Sequence, residues 1–468
     1  MNKSTGKLDR LISTLLIAIS LLILLMVVLG DRTVPRVAMT YSDDFSAGAI
    51  WKFDFSRLMD RKSVEENFHV KPEIKGQFIW NGRTMYYQLG DGLNAGQTYV
   101  VELMSGARSL DGKSINEKWK KVIETEPLQM AYLDDGKLIV SSLDGKEADV
   151  FDLLGMSVKT MEFAHKASQI YLLAGKNADR PELWRYDLKE KQLKQLTNDS
   201  KYQNINFLLS DDDKEVALSR IEVSSSGEKL SRIEIWNAQT TDLKFTKFDN
   251  GNAQGTDYGF SPQGKYLLFR NKDSNFELLS LTDDERLFVG EFAQNFGFHP
   301  FQPKIAFTEY DQDDVFSLNN KLVIFSGEGG KKYLDFNGGI VREAKFTPDG
   351  KSLIVLFSAA EDDLTPPDGF SQARRFHLYK VDLNSYAVTK IVGDDDFSES
   401  DPIVSRDSRY VLYQRVAALP EYLIDPAFES IQKNVGTVLP DKDVWLYDLK
   451  TDENKKLAVK ADNIIFKP

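Results

Sequence analysis

The sequence predicts an all-β ectodomain, a small β-sandwich followed by a seven-bladed β-propeller, on a single N-terminal transmembrane helix. Three observations lead there: an uncharged apolar run over residues 11–30, short alternating strands between turn residues over 31–126, and a strand–turn–strand unit repeated over 127–468.

The run LISTLLIAISLLILLMVVLG contains no charged side chain. Twenty helical residues at about 1.5 Å each reach roughly 30 Å, the thickness of a bilayer's hydrocarbon core. A cleaved signal peptide has a shorter apolar core of about 7–15 residues, closed by a small-x-small site. The following VVLGDRT offers no such site, so the run reads as an uncleaved signal anchor. Lys3, Lys7 and Arg10 precede it, and Asp31, Arg32 and Arg36 follow. One span with a basic N-terminal flank makes residues 1–10 a cytoplasmic tail and everything from Asp31 onward extracytoplasmic, at the cell membrane.

Composition narrows what that ectodomain does. The chain has no cysteine, which excludes disulfides, thiolate nucleophiles, cysteine-bound zinc and acylation at a lipobox. Its formal charge is −12; Lys3, Lys7 and Arg10 against Asp9 leave +2 on residues 1–30, so residues 31–468 carry −14. A body this acidic repels phosphate backbones, and no nucleic-acid partner is expected. The acidity serves solubility, with capture of cations or basic partners as the alternative use.

Residues 31–126 read as short strands. IWKFDF (50–55) alternates, GQFIW (76–80) and TMYYQL (84–89) flank Asn81-Gly82, and TYVVELM (98–104) alternates again. Asn-Gly between two such runs is a strong hairpin signal, because both residues tolerate positive φ. The charged FSRLMDRKSV (55–64) is no core strand. MDRKSVEENF predicts one helical turn capped by the Asp60 side chain, a crossover between strands with Met59 covering the sandwich core. Asp111-Gly112 marks a further tight turn.

At these residues the chain resembles the bacterial Ig-like domain of surface-layer and other cell-envelope proteins. The family's F-S-x-x-M-D-x-x-S-V is Phe55 to Val64 here, its G-x-F-x-W-x-G is Gly76 to Gly82, and its L-x-x-G-x-x-Y-x-V falls on Leu93 to Val101. Its terminal D-x-x-G is shortened to Asp111-Gly112. Covering about 38–126, the resemblance implies a spacer or adhesive module without catalysis.

Residues 127–468 repeat themselves. One element is a strand, a turn and a second strand: FSPQGKYLLF (260–269), FTPDGKSLIV (346–355), FHPFQPKIAF (298–307), LSDDDKEVAL (209–218) and VSRDSRYVLY (404–413), with weaker copies YLDDGKLIV (132–140) and AHKASQIYLLA (164–174). A second element follows each, as in ELWRYDLKEKQLKQLT, FHLYKVDLNSYAVTKIV and VWLYDLKTDENKKLAV, with ADVFDLLGMSVKTM in the first unit. Seven of each, at intervals near the roughly 40–50 residues of a four-stranded blade, predict seven blades, with six or eight open because the first two are least regular. The C-terminal NIIFKP (463–468) is expected to add a strand to blade one and close the ring. The F-x-P-x-G-K turns and LWxYDL strands resemble TolB-type and WD-repeat-like propellers. That resemblance implies a protein-binding scaffold, which in some members accompanies a peptidase domain.

No cofactor is expected, and no catalytic constellation stands out. The four histidines, His69, His165, His299 and His377, are scattered, and no G-x-S-x-G, H-E-x-x-H, phosphate-binding glycine loop or dinucleotide fingerprint occurs. His299 occupies the place of Ser261 in its repeat and reads as a turn residue. The acidic clusters at 211–213, 311–314, 361–363 and 394–396 fit no EF-hand spacing and read as solvated turns.

Loop length is more informative. The connections between second and third strands are enlarged in blades five (309–320), six (359–375) and seven (417–442), and in a propeller they emerge on one face. In the last, Asp425-Pro426, AFESIQKN and Gly436 predict a short helix. The candidate contacts are Asp313, Asp314, Asp362, Asp363, Phe370, Arg374, Arg375, Tyr422 and Phe428, since loops carry function more often than scaffold. The expected function is non-catalytic binding of a protein or envelope polymer. The alternatives are an envelope glycan or peptide hydrolase or lyase using propeller carboxylates, and a purely structural assembly factor.

Overall fold

A computed structural model describes residues 12–21, 34–41, 49–90, 92–143, 148–310, 320–359, 375–417 and 443–466, apart from loop positions 166–167, 178, 211–212, 224–228, 241, 247–252, 263, 272, 274, 284, 292, 328–329, 335, 337, 395 and 461. Residues 12–21 are helical, and the rest of the apolar run lies outside the described residues. Among the described residues no helix is long and apolar enough to cross a membrane. The chain divides into two compact units, one of Met1–Asp91 with Thr98–Glu124, the other of Gly92–Gln97 with Thr125–Pro468.

The first unit holds β1 (Val37–Thr40), β2 (Ile50–Phe55), β3 (Phe68–Lys71), β4 (Gly76–Asn81), β5 (Thr84–Leu89), β6 (Thr98–Leu103) and β7 (Trp119–Glu124). They form two antiparallel sheets, ordered β1-β2-β5-β4 and β3-β6-β7. Alternation in IWKFDF puts Trp51, Phe53 and Phe55 on the buried face. The Phe53 ring lies 5.4 Å from Phe68 and 6.0 Å from Trp119, so the sheets meet through these rings as a β-sandwich. Burial of each such side chain contributes about 1.5–3 kcal/mol relative to exposure.

The charged stretch after β2 crosses from one sheet to the other. It forms α1 (Arg61–Glu66), and Met59 is buried at the bridge to Ser109, as its position suggests. The cap differs from expectation: Asp60 stands at the helix start, but its side chain makes no capping hydrogen bond. Its backbone is held extended by an N–H donated to Arg108 O (2.9 Å), and the turn closes through Val64 N–H to Asp60 O (3.1 Å). The hairpin after β4 also differs by one residue. Asn81 pairs with Thr84 and continues the strand, so Gly82 and Arg83 make the turn, and only Gly82 takes a positive φ, +57°.

In the second unit, seven four-stranded antiparallel sheets follow one another. Blade one contains β8 (Gln129–Asp134), β9 (Lys137–Ser142) and β10 (Ala148–Asp152). Blade two is β11–β14 (Ser157–Phe163, Gln169–Gly175, Glu182–Asp187, Gln192–Gln195), and blade three is β15–β18 (Tyr202–Leu209, Glu215–Val223, Lys229–Asn237, Leu243–Thr246). Blade four is β19–β22 (Ala253–Phe260, Tyr266–Asn271, Phe276–Ser280, Arg286–Gly290). Blade five is β23–β26 (Ala293–Phe298, Ile305–Tyr310, Asn320–Phe325, Lys331–Leu334). Blade six is β27–β30 (Ile340–Phe346, Ser352–Ser358, His377–Asp382, Val388–Val392), and blade seven is β31–β34 (Phe397–Val404, Tyr410–Ala417, Asp443–Asp448, Glu453–Lys460). The C-terminal β35 (Asp462–Phe466) pairs with β8 and neighbours the first strands of blades two and seven, so it is the innermost strand of blade one. The ring closes as NIIFKP predicts.

Blade one itself is assembled differently from the repeat reading. YLDDGKLIV joins its second and third strands, not its first and second. ADVFDLLGMSVKTM is the last strand of blade one followed by the first of blade two. The inner slot is already taken by β35, which shifts every upstream strand of this blade outward by one. Between blades, apolar side chains of neighbouring sheets pack together, as do Ala131, Leu138 and Val140 of blade one with Met161, Phe163 and Ile170 of blade two.

Repeat-turn chemistry explains the recurring sequence. Ser210, Ser261, Thr347 and Ser405 each accept, through the side-chain oxygen, the N–H five residues on, at 2.9–3.1 Å. His299 stands at the same place in blade five but closes its turn on the N–H groups two and three residues on. Its Nδ1 accepts from Phe301 N (3.1 Å) and Gln302 N (3.0 Å), which leaves the proton on Nε2, 3.0 Å from Gly350 O of blade six. Gly350 has φ +67°, and a Cβ there would stand 2.6 Å from the His299 ring.

Burial holds the His299 pKa below its ordinary value of 6.5. A histidine depressed in the folded state stabilises fully above pH 6.5 and loses that contribution as pH falls through the lower folded value. The full chain is therefore expected to lose melting temperature between pH 7 and pH 5 more steeply than His299→Ser, which keeps an acceptor that does not titrate. Identical slopes would contradict this role.

Candidate functional site

The enlarged connections leave blades five, six and seven between their second and third strands, as the sequence predicts: 311–319, 359–376 and 418–442, against 272–275 in blade four and 135–136 in blade one. Of the proposed contacts, Asp313, Asp314, Asp362, Asp363, Phe370, Arg374, Tyr422 and Phe428 lie outside the described residues. Arg375 is described and half-buried, two residues before β29.

At the roots of the two longest connections the fold brings together three ionisable side chains that sequence reasoning left apart. His377 opens β29, immediately after the blade-six connection. Arg415 lies near the end of β32, just before the blade-seven connection, and Glu399 sits opposite it on the innermost strand, β31. Glu399 Oε2 lies 2.8 Å from His377 Nδ1, and its Oε1 accepts from Arg415 Nε at 3.0 Å. The His377 and Glu399 side chains are 0% exposed. The Arg415 guanidinium lies over Phe397 (4.8 Å) and Trp445 (4.7 Å). Two backbone bonds tighten the same seam, Phe376 N–H to Ser398 Oγ (3.0 Å) and Glu399 N–H to Phe376 O (2.8 Å).

The seam between blades two and three is built at the same register positions. There Glu182 opens β13, Asn204 stands on β15, and Arg220 lies opposite it on β16. Asn204 Nδ2 donates to Glu182 Oε2 (3.0 Å) and Arg220 Nε donates to Asn204 Oδ1 (3.0 Å). Since Asn204 brings no charge, Arg220 finds its carboxylate on Glu234 instead, at 2.9 Å, while stacking on Tyr202 at 4.2 Å. Blades five and six use a third version, in which Asn320 opens β25 and exchanges two hydrogen bonds with the Val341 backbone, at 2.7 and 2.8 Å.

No protein-family profile matches the chain, and no curated protein does. Among solved structures, a prolyl endopeptidase matches with TM-score 0.51 at 9% identity, over 86% of this chain and 51% of that one. This likeness is one of fold alone. The propeller domain of the trilobed protease from Pyrococcus furiosus matches at TM-score 0.48 and 11% identity over 78% of this chain and 94% of that one. TolB from Acinetobacter baumannii matches at 0.41 and 11%, over 85% and 81%.

Chemically, the blade six–seven cluster is a closed clamp. A carboxylate shared between imidazole and guanidinium fixes β29 against β31 and β32, and so fixes the separation of the two loop roots. Buried this deeply, its histidine offers no acid–base group to an incoming ligand. Among the described residues no group of three or more His, Asp or Glu could hold a metal ion. Asp394 Oδ1 accepts from Asp396 N (3.1 Å) within its turn, whereas Asp213, expected in a solvated turn, is buried and its Oδ1 accepts from His165 N of blade two (2.7 Å).

Proposed function

We propose that the protein is a single-pass membrane protein whose extracytoplasmic propeller, of TolB-like kind, binds a protein or cell-envelope polymer without catalysing a reaction. Residues 11–30 anchor it in the bilayer with the N-terminus cytoplasmic. The sandwich, read as a bacterial Ig-like module, serves as a spacer. One observation carries the binding assignment: three successive blades of a closed ring extend the same connection, and the two longest rise from roots clamped by His377, Glu399 and Arg415. A scaffold of short turns with enlarged loops on neighbouring blades suits a surface that grips a large partner.

Photo-crosslinkers placed at Phe370 and Tyr422 in intact cells are expected to give a discrete adduct. Replacing 361–373 and 419–441 with short Gly-Ser linkers, which spares the clamp, should abolish pull-down of that crosslinked partner while the propeller's circular dichroism and melting stay unchanged. Undiminished capture by the linker variant would remove the platform, and resistance of the bulk of the chain to protease added outside the membrane would remove the anchor.

A further inference from the structure

The first turns of neighbouring blades are latched to one another at three junctions of the ring. His165 N–H donates to Asp213 in blade three, His299 bonds Gly350 O in blade six, and Asp349 N–H donates to Ser408 Oγ in blade seven at 2.8 Å. Blade one has no such turn, because its first and second strands, β35 and β8, come from opposite ends of the repeat region. The place is filled by Gly92–Gln97, which belongs to the propeller unit although it precedes the repeats.

Two contacts fasten this segment and its continuation to blade seven. Asp407 Oδ1 holds its own turn, accepting from Ser405 Oγ (2.6 Å) and Arg409 N (3.2 Å), while Oδ2 accepts Ala95 N–H at 3.3 Å. Arg406 Nη2 donates to Glu126 O at 3.1 Å. The segment is bound in turn to the chain that leads into β8. Gly96 N–H donates to Glu126 O (3.0 Å), Gln97 N–H to Thr125 Oγ1 (2.8 Å), and Thr125 Oγ1 to Asn94 O (2.7 Å). Gly96 takes φ +68°, a conformation that L side chains rarely adopt, where the turn lies against Pro127.

We infer that residues 92–97 are a strap that secures the closing seam of the ring: fastened to Asp407 and bonded to the chain entering β8, they hold β8 in place to receive β35. Opening of the seam requires the strap to detach from blade seven, which couples closure of the propeller to a segment outside its repeats. The inference is independent of what the propeller binds.

Hydrogen exchange on the full chain, read strand by strand, tests it. Asp407→Asn keeps the oxygen that holds the turn but sets an amide N–H against Ala95 N–H. Ala95→Pro removes the other partner of the bond at a turn position that proline tolerates, with glycine following at positive φ. Each variant is expected to speed exchange in β8 and β35 roughly tenfold while blade four is unchanged, the loss of one charge-assisted hydrogen bond acting locally. Unchanged rates in β8 and β35, or equal acceleration in every blade, would overturn the strap.

Discussion

Glu399→Ala is expected to lower the unfolding free energy of the propeller by about 3–5 kcal/mol, the usual cost of taking one partner from a buried ion pair. The carboxylate serves two groups at once, and its removal leaves the Arg415 Nε and the His377 Nδ1 without it in a seam where Glu399 and His377 are wholly buried. Arg415 cannot swing out to water cheaply, because Phe397 and Trp445 flank its guanidinium. Glu399→Gln keeps the volume and one acceptor, so its loss should be smaller. Replacing all three together with Leu, Met and Phe of similar volume should recover most of the stability, since the desolvation cost disappears with the charges. Denaturant unfolding followed by circular dichroism measures each step. A loss below about 1 kcal/mol for Glu399→Ala would mean that water or a rearranged side chain satisfies Arg415 and His377.

Much of the ring was legible because one turn has strict hydrogen-bond needs. A side-chain acceptor stands at the same place in five first turns, at Ser210, Ser261, Thr347, Ser405 and His299, whose Nδ1 can accept, while Ala164 holds that place in blade two. Blade one misled for a related reason. Asp135 and Gly136 take φ of +45° and +73°, a tight hairpin whose local chemistry does not say which two strands it joins. That is decided by β35, far along the chain. The Asp60 cap failed similarly: the helix start is pinned by Arg108 across the sandwich, which no local motif records.

The clamp itself was missed, although a trace of it lies in the sequence. His377 and Glu399 are 22 residues apart and Glu399 and Arg415 are 16 apart, and Glu182, Asn204 and Arg220 repeat both spacings. Read as single residues, the histidines look scattered. Read in repeat register, the first residues of three third strands, Glu182, Asn320 and His377, face the next blade's inner strand.

Removal of residues 461–468 is expected to abolish folding of the propeller. The deletion does not trim a tail; it takes the innermost strand from blade one, leaving the β8 edge unpaired toward the channel. It also empties the seam where Ile464 and Phe466 pack with Met130, Leu412, Val444 and Leu457. Phe466→Ala alone should cost about 3–5 kcal/mol, the range for deleting a buried aromatic. The whole strand carries a second buried side chain and its ladder hydrogen bonds, so its loss is comparable with the roughly 5–15 kcal/mol of net stability a typical domain has. Expression of the truncated chain should yield aggregated or degraded propeller, and the sandwich, whose sheets contain no strand from beyond Glu124, should still show its own cooperative melt. A soluble truncated chain with native-like exchange protection in β8 would show that seven blades hold without the closing strand, because the packing of blades one and seven against their neighbours would then suffice to seal an open ring.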